Sequence, residues 1–429
     1  MKKKNRKHAK RVRKLALICT ICTILLAVST YAWFVGMQTV SVSPFDVEIA
    51  AIDGLSLSLS GADGTFTDTV TINSSNYSTT YTGNTNTWGG TGLIPISTVG
   101  KIDATASRLI MYQKGSLTTT PGGYRLMASR VDNYTPIKDG EGNVTGYNQE
   151  NGYVAFDLFV KNLSGDEYYT TMNQLNEEAI YLTLGSEVTV AEGGAENTGI
   201  ENSVRVAFAQ IGRVKATTTD AATIQKISCA GGTGVTSICS RDAQIWEPND
   251  TKHEQNAINW YDLSCKARTK AGITDASYSG KCGTVEDGTA YDTYAVSSVI
   301  DYTDEVDVYD GTDYNGYTGS ITSGKLTAYP YFTDSMKELK GTERPTFITL
   351  APNSITKIRV YIYIEGQDVD NYDFASLGKK ISVKFGFTKE RYYGDDVDYN
   401  ENTNPDDNNG PALPSDVVRP ASSEQVAAG

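Results

Sequence analysis

Apolar and polar residues alternate at every second position along several stretches of this chain. Phe45, Val47 and Ile49 alternate with Asp46 and Glu48, and Leu55, Leu57 and Leu59 with Ser56 and Ser58. The pattern returns in Ile180–Leu184 and Ser203–Phe208, and again where Ile358, Val360, Ile362 and Ile364 fall on one face. Period-two segments of this kind predict strands of a sheet with one buried face. Tyr153–Val160 reads as a further strand ending at Lys161-Asn162, Phe347–Leu350 leads into the Ile358 strand, and Ile381, Val383, Phe385 and Phe387 mark the last. Bulky residues on both faces place the Ile358 and Ile381 strands centrally. Helical spacing is scarce, with Met172–Glu178 predicting one short helical turn. Spaced strands with polar loops predict an all-β protein, an antiparallel sandwich of the jelly-roll kind.

The pattern divides the chain. The predicted core comprises residues 40–214 and 345–388, with Thr65–Gly92 as loops and short edge strands. Between the two parts, residues 215–344 are looser and read as an insertion with structure of its own, since a bare loop of that length would be unusual. Residues 389–429 turn acidic, Asn/Asp-rich and then Pro/Ala/Ser-rich, which predicts a disordered tail. The insertion holds Cys229, Cys239, Cys265 and Cys282. In an exported chain this even set predicts two disulfides, and pairing 229–239 with 265–282 is one of three connectivities. A zinc site is the alternative, without a Cys-x-x-Cys pair among these four to support it.

Export is predicted by the N-terminus. Residues 1–14 carry nine Lys/Arg and no acid, and residues 15–35 are uncharged. At ~1.5 Å per residue such a run, as an apolar helix, just spans a ~30 Å hydrocarbon core. The basic flank predicts a cytoplasmic N-terminus with the rest outside. Two fates fit: a retained membrane anchor, or a signal peptide cut by a signal peptidase with Thr30 and Ala32 at the −3 and −1 positions. Ala27 and Ser29 form a second such pair. Net charge sharpens the picture, because the −13 of the whole chain becomes −22 once the nine flanking cations are set aside. So acidic a surface is a bad fit to anionic lipid and argues against nucleic acid as a partner, which leaves membrane contact to residues 15–35 if they are retained.

Catalytic chemistry finds little to stand on. The chain has two histidines, His8 in the basic flank and His253 beside Glu254, and the position where a zincin needs its second histidine is Ala257. Walker, Rossmann and Gly-x-Ser-x-Gly patterns are absent from the sequence. No catalytic residue is therefore assigned, although a Ser–Lys or carboxylate-pair hydrolase needs no recognisable spacing. Calcium is the candidate cofactor. Asp396, Asp398 and Asn400 repeat oxygen ligands as the start of an EF-type loop does, but Glu401 replaces the turn glycine and Asp407 the closing glutamate. Asp307, Asp310, Asp313 and Asn315 form a second acidic loop, and Asp368, Asp370 and Asp373 a third. Solvated acidic loops are the alternative reading of all three.

Thr30-Tyr31-Ala32-Trp33-Phe34 closing an apolar run, followed by Val42–Leu59, resembles the N-terminus of bacterial surface proteins of the TasA/camelysin type, whose signals are cut by a SipW-like peptidase. Arg205-Val206-Ala207-Phe208, Trp246-Glu247-Pro248-Asn249 and residues 345–387, with Glu365-Gly366-Gln367-Asp368-Val369-Asp370-Asn371, resemble a related uncharacterised group. The resemblance implies a jelly-roll domain at the bacterial cell surface or outside the cell. It implies a structural or adhesive role, with the chain itself or other surface proteins as partners, and assembly into matrix fibres by strand exchange. In that scheme residues from about Trp33 to Glu48 form the donor strand, with Phe45, Val47 and Ile49 as its apolar side chains. The alternative is an exported hydrolase, a camelysin-like peptidase or another, on a β scaffold.

Overall fold

The computed structural model describes residues 42–73, 95–115, 127–130, 136–138, 140–141, 144–147, 153–165, 167–192, 194, 198–270, 284–291, 293–296, 326–371 and 379–393. Two sheets enclose its main core. In chain order their strands are β1 (Val42–Ala51), β2 (Leu55–Ser58), β3 (Thr69–Ile72), β4 (Val154–Asn162), β5 (Glu178–Leu182), β6 (Glu187–Val190) and β7 (Val204–Lys215). β8 (Thr236–Ser237), β9 (Gln244–Glu247), β10 (Phe332–Thr333), β11 (Ile348–Leu350), β12 (Ser354–Ile364) and β13 (Lys379–Thr388) follow. The first sheet has the order β11-β5-β13-β1-β3, with β6 also paired to β13. The second has the order β10-β9-β7-β12-β4-β2, with β8 also on β7.

The two sheets are buried differently. The first is one-sided, so β1 exposes Asp46 and Glu48 and buries Val47 and Ile49, as the alternation requires. The second is covered on both faces. Ile358, Val360, Ile362 and Ile364 of β12 meet the first sheet, where Phe208 packs edge-on against Phe347 and Phe385 with ring centroids 5.0 Å apart. Ile355, Tyr361 and Tyr363 point the other way, into a second core with Met111, Ile227, Ile245 and Tyr331. Every residue of β12 is therefore buried.

Two pairings depart from the antiparallel expectation: β1 runs parallel to β13, and β9 runs parallel to β10. A parallel neighbour needs a long return path, and residues 52–378 lie between β1 and β13 to provide it. Nor does the 215–344 span stand apart from the sandwich, because it supplies β8, β9 and β10 and the fully buried Trp246. Among its described residues the α-helices are α1 (Ala221–Gln225), α2 (Gln255–Lys270) and α3 (Asp334–Lys337). α2 buries Ala257 and packs Ile258, Trp260 and Tyr261 against the main core. Cys229 and Cys239 are joined in a disulfide, with Cα atoms 5.5 Å apart, closing the loop that carries β8. Cys265 lies on α2, while Cys282 is outside the described residues.

A two-residue turn carries the chain from the first sheet to the second. Asp53 and Gly54 both have positive φ, 64° and 76°, and the Leu55 N–H donates to the Ile52 carbonyl at 3.3 Å. This is the type I′ geometry that Asp-Gly favours. Residues 389–393, assigned by sequence to the tail, pack against the body: the Lys389 N–H donates to Asp53 Oδ2 at 3.1 Å, and Arg344 Nη1 to the Glu390 carbonyl at 2.7 Å. Among the described residues no helix is long and apolar enough to cross a membrane. Residues 15–35, with Thr30 and Ala32, and the Asp396, Asp398 and Asn400 loop lie outside the described residues.

Candidate functional site

Three segments far apart in sequence meet at one end of the second sheet. β7 begins with Val204-Arg205, β9 ends at Glu247, and β12 runs out into the turn Glu365–Asn371. Pairing of Val206 with Trp246 and of Arg205 with Tyr363 sets Glu247, Arg205 and Tyr363 side by side across three strands, all on the outer face. Cross-strand neighbours of opposite charge attract. Arg205 is fully buried and reaches both Glu247 Oε1 and Asp368 Oδ2 through Nη2, while Nη1 donates to the carbonyls of Asn202 and Val204 at 3.0 and 3.1 Å. Its guanidinium lies 5.3 Å from the Tyr331 ring centroid.

The remaining acids are held equally closely. Thr293 Oγ1 donates to Glu247 at 2.9–3.0 Å. Glu365 accepts from the Gln367 N–H at 3.0 Å and from Tyr331 Oη at 3.3 Å. Asp368 accepts from the Asp370 N–H at 2.7 Å. Asp370 in turn meets His253 Nδ1 at 2.8 Å and accepts from the Glu254 N–H at 2.9 Å. His253 is thus not solvated: its side chain is 6% exposed and paired with Asp370. Its Nε2, where a triad histidine would face a nucleophile, donates to the Thr289 carbonyl at 3.1 Å. Between the 247–253 segment and the 367–370 turn, walled by Tyr291 and Thr293, a cleft encloses about 10 Å³, the room of roughly one water molecule.

One buried cation cannot keep so many neighbouring carboxyls ionised. Burial pushes Glu365 up to about 8, with Arg205 pulling the other way, and pushes Glu247 up to about 7 against the same pull. Asp370 is pushed up to about 6 by burial, opposed by His253. Burial pulls His253 down, but its bond to Asp370 outweighs it and leaves the ring above its ordinary value. Arg205 pays the same burial penalty, yet Glu247 and Asp368 hold it firmly protonated. At neutral pH the folded cluster therefore retains a proton on Glu365.

A carboxyl whose pKa is higher in the folded state binds more protons there, so its contribution to stability falls as pH rises. For Glu365 that window runs from the ordinary 4.5 to about 8. The raised His253 has the same sign. Asp157 and Glu177 have the opposite one: burial raises each, but Arg359 and Lys357 outweigh it for Asp157, and Arg241, Thr349 and Arg213 for Glu177. Their stabilisation is lost only as pH drops through their lowered values. The expected Tm profile peaks in mild acid and declines through neutrality, and Glu365→Gln flattens that decline. Equal slopes in the two proteins, measured by calorimetry across this range, would remove Glu365 from the explanation.

Of the residues singled out in the sequence, Val47 and Ile49 are buried in the main core at 2% and 0% exposure, and Phe45 falls in the irregular register between Ser43 and Asp46. Asp368 and Asp370 belong to the cluster, and Asp373 is outside the described residues. Among the described residues no group of three or more His, Cys, Asp or Glu is arranged to hold a metal ion. Glu247 and Glu365 were legible only as parts of resembling segments, since nothing in their spacing joins them to Arg205. Compared with family models, with curated proteins and with solved structures, the chain gives no match.

Proposed function

We propose that this chain is an exported structural or adhesive protein of the bacterial cell surface, a jelly-roll-like sandwich that associates with itself or with other surface proteins. The observation that carries this reading is the internal pairing of the acidic cleft. Its arginine, histidine and carboxyls engage one another, nearby hydroxyls or backbone groups, in a space of roughly one water. Groups so engaged brace a fold; a hydrolase needs a free base and a place for substrate beside it. The Cys229–Cys239 bridge suits an oxidising exterior, and the basic flank with the apolar run 15–35 suits passage to it.

Strand exchange is the proposed route to assembly. In the monomer β1 lies between β13 and β3. The same segment from a neighbouring copy would present the same backbone donors and apolar side chains to that slot. In this scheme a signal peptidase cuts after Ala32, which frees the leading strand. Cell fractionation, intact mass and electron microscopy of the mature protein test the proposal together. Surface-located chains that begin near Trp33 and form fibres or larger assemblies are expected. A cytoplasmic chain, or a surface monomer that cleaves a peptide or glycan, would overturn it.

A further inference from the structure

At the corner where the sheets approach each other, the end of β4, the start of β5 and the residue after β13 converge. Asn162 closes β4 with no exposed surface, its backbone paired with Leu55 of β2 and Ser354 of β12. Glu178 opens β5, and Lys389 follows β13 with its N–H fixed to Asp53 Oδ2. Lys389 Nζ lies 2.8 Å from Asn162 Oδ1 and 3.1 Å from Glu178 Oε2. Asn162 Nδ2 donates to the same Glu178 oxygen at 2.7 Å and to the Ala351 carbonyl at 3.1 Å. The Ser164 N–H donates to Asn162 Oδ1 at 3.2 Å, and the Ser164 hydroxyl bridges that oxygen and Glu178. The Lys389 and Glu178 side chains are 20% and 36% exposed. An amine, a carboxamide and a carboxylate are thus in mutual contact around one largely buried point.

The geometry points to an intramolecular isopeptide bond between Lys389 Nζ and Asn162 Cγ, formed by the chain on itself with loss of ammonia. Glu178 Oε2 takes a proton from the Lys389 ammonium, and the freed amine forms the new C–N bond at Asn162 Cγ as the carbonyl electron pair moves onto Oδ1. The protonated carboxyl then gives its proton to Nδ2 as the old C–N bond breaks, and accepts the proton shed by the new amide nitrogen. The departing ammonia takes up that last proton and leaves as ammonium, which returns Glu178 as a carboxylate. No oxidant, reductant or other co-reactant is consumed.

Each part of this step has its group in place. One carboxylate oxygen touches both the nucleophile and the leaving nitrogen, as a base that turns acid within one reaction must. The Ser164 N–H faces the oxygen on which negative charge develops. Three rigid strand ends hold the partners together, which replaces an encounter in solution by a fixed approach. Burial raises the Glu178 carboxyl, but hydrogen bonds from Ser164, Asn162 and Lys389 outweigh it and hold it below the ordinary value, in the form that starts as a base. The bond would join β4 of the second sheet to the end of β13 in the first, across 227 positions of sequence.

Mass spectrometry of the full chain, purified and with disulfides reduced, tests the inference. The expected intact mass is about 17 Da below that of the linear chain, the mass of ammonia. Proteolysis should yield one branched peptide joining the segments that contain Asn162 and Lys389. Lys389→Arg keeps a cation at the site but removes the nucleophile, and should show the full mass. Glu178→Gln keeps the shape but removes the base, and should form the bond at least about tenfold more slowly or not at all. A wild-type chain of full mass that gives only linear peptides would overturn the bond, whatever the variants do. Bond formation at the wild-type rate in Glu178→Gln would overturn the assignment of Glu178.

Discussion

A chain beginning at Ile52 is expected not to fold. β1 is an interior strand of the first sheet, paired with β13 on one side and β3 on the other. Its removal takes Val47, Ile49 and Ala51 out of the core, all at most 2% exposed. Burial of a side chain the size of Val47 or Ile49 contributes roughly 1.5–3 kcal/mol. Two facing strand edges also lose their backbone partners, and unpaired buried N–H and C=O groups are costly in themselves. Against a total stability of about 5–15 kcal/mol for a domain, these losses remove the cooperative transition. A synthetic peptide of residues 42–51 should restore it, because the vacated slot asks only for that pattern of donors and apolar groups. Circular dichroism during thermal unfolding, with and without the peptide, makes the comparison. If the shortened protein melts at the temperature of the full one, β1 is a stalk and strand exchange has no basis.

Replacing Arg205 by leucine is expected to cost about 3–5 kcal/mol, the range for breaking a buried ion pair from one side. The reason is what remains. Glu247 and Asp368 would stay in place, 8% and 10% exposed at their side chains, without the cation that Arg205 supplies to both. Burial already pushes Glu247 up to about 7, and without Arg205 the main pull against that rise is gone, so the variant should be most damaged at high pH and least in acid. Adding Glu247→Gln and Asp368→Asn to the leucine variant should recover part of the loss, since neutral amides are cheaper to bury than unpaired carboxylates. Urea titrations of the single and triple variants supply the test. A loss below about 1 kcal/mol in the single variant would mean that water reaches the acids and the cluster braces little.

The strands written by long apolar alternation were legible: β1, β2, β4, β12 and β13 lie where the pattern put them, to within a few residues. β7 runs further than Ser203–Phe208 implied, because Gln210, Arg213 and Lys215 break the apolar pattern while the backbone stays paired to β12 through Ser354. Arg213 is polar yet 1% exposed, since Glu177 meets it across the fold. β9 is four residues long and β10 two, too short for any period to show. α2 escaped notice because the apolar residues that reach the core, Ala257, Ile258, Trp260 and Tyr261, are confined to its first half and interrupted by Asn256, Asn259 and Asp262. The acidic cluster was half legible. Its three segments stood out one by one, but contact between Arg205, Glu247 and Asp368 comes from strand register, which no spacing along the chain encodes. The same holds more strongly for Asn162, Glu178 and Lys389, three ordinary polar residues until the sheet ends bring them together.

The parallel pairing of β1 with β13 also has a mechanical consequence. Eight residue pairs join the two strands, from Val42 with Lys379 to Ala51 with Phe387. Pulling on the chain before residue 42 and after residue 388 grips the pair at opposite ends. The two strands must then slide past each other, and the backbone bonds along the seam share the force and yield together. Antiparallel first and last strands would be gripped at the same end and would unzip one bond at a time. Forced unfolding is governed by the barrier along the pulling direction rather than by equilibrium stability. Under tension applied to its two ends, this sandwich is strained in shear, the direction in which a β-sheet resists most.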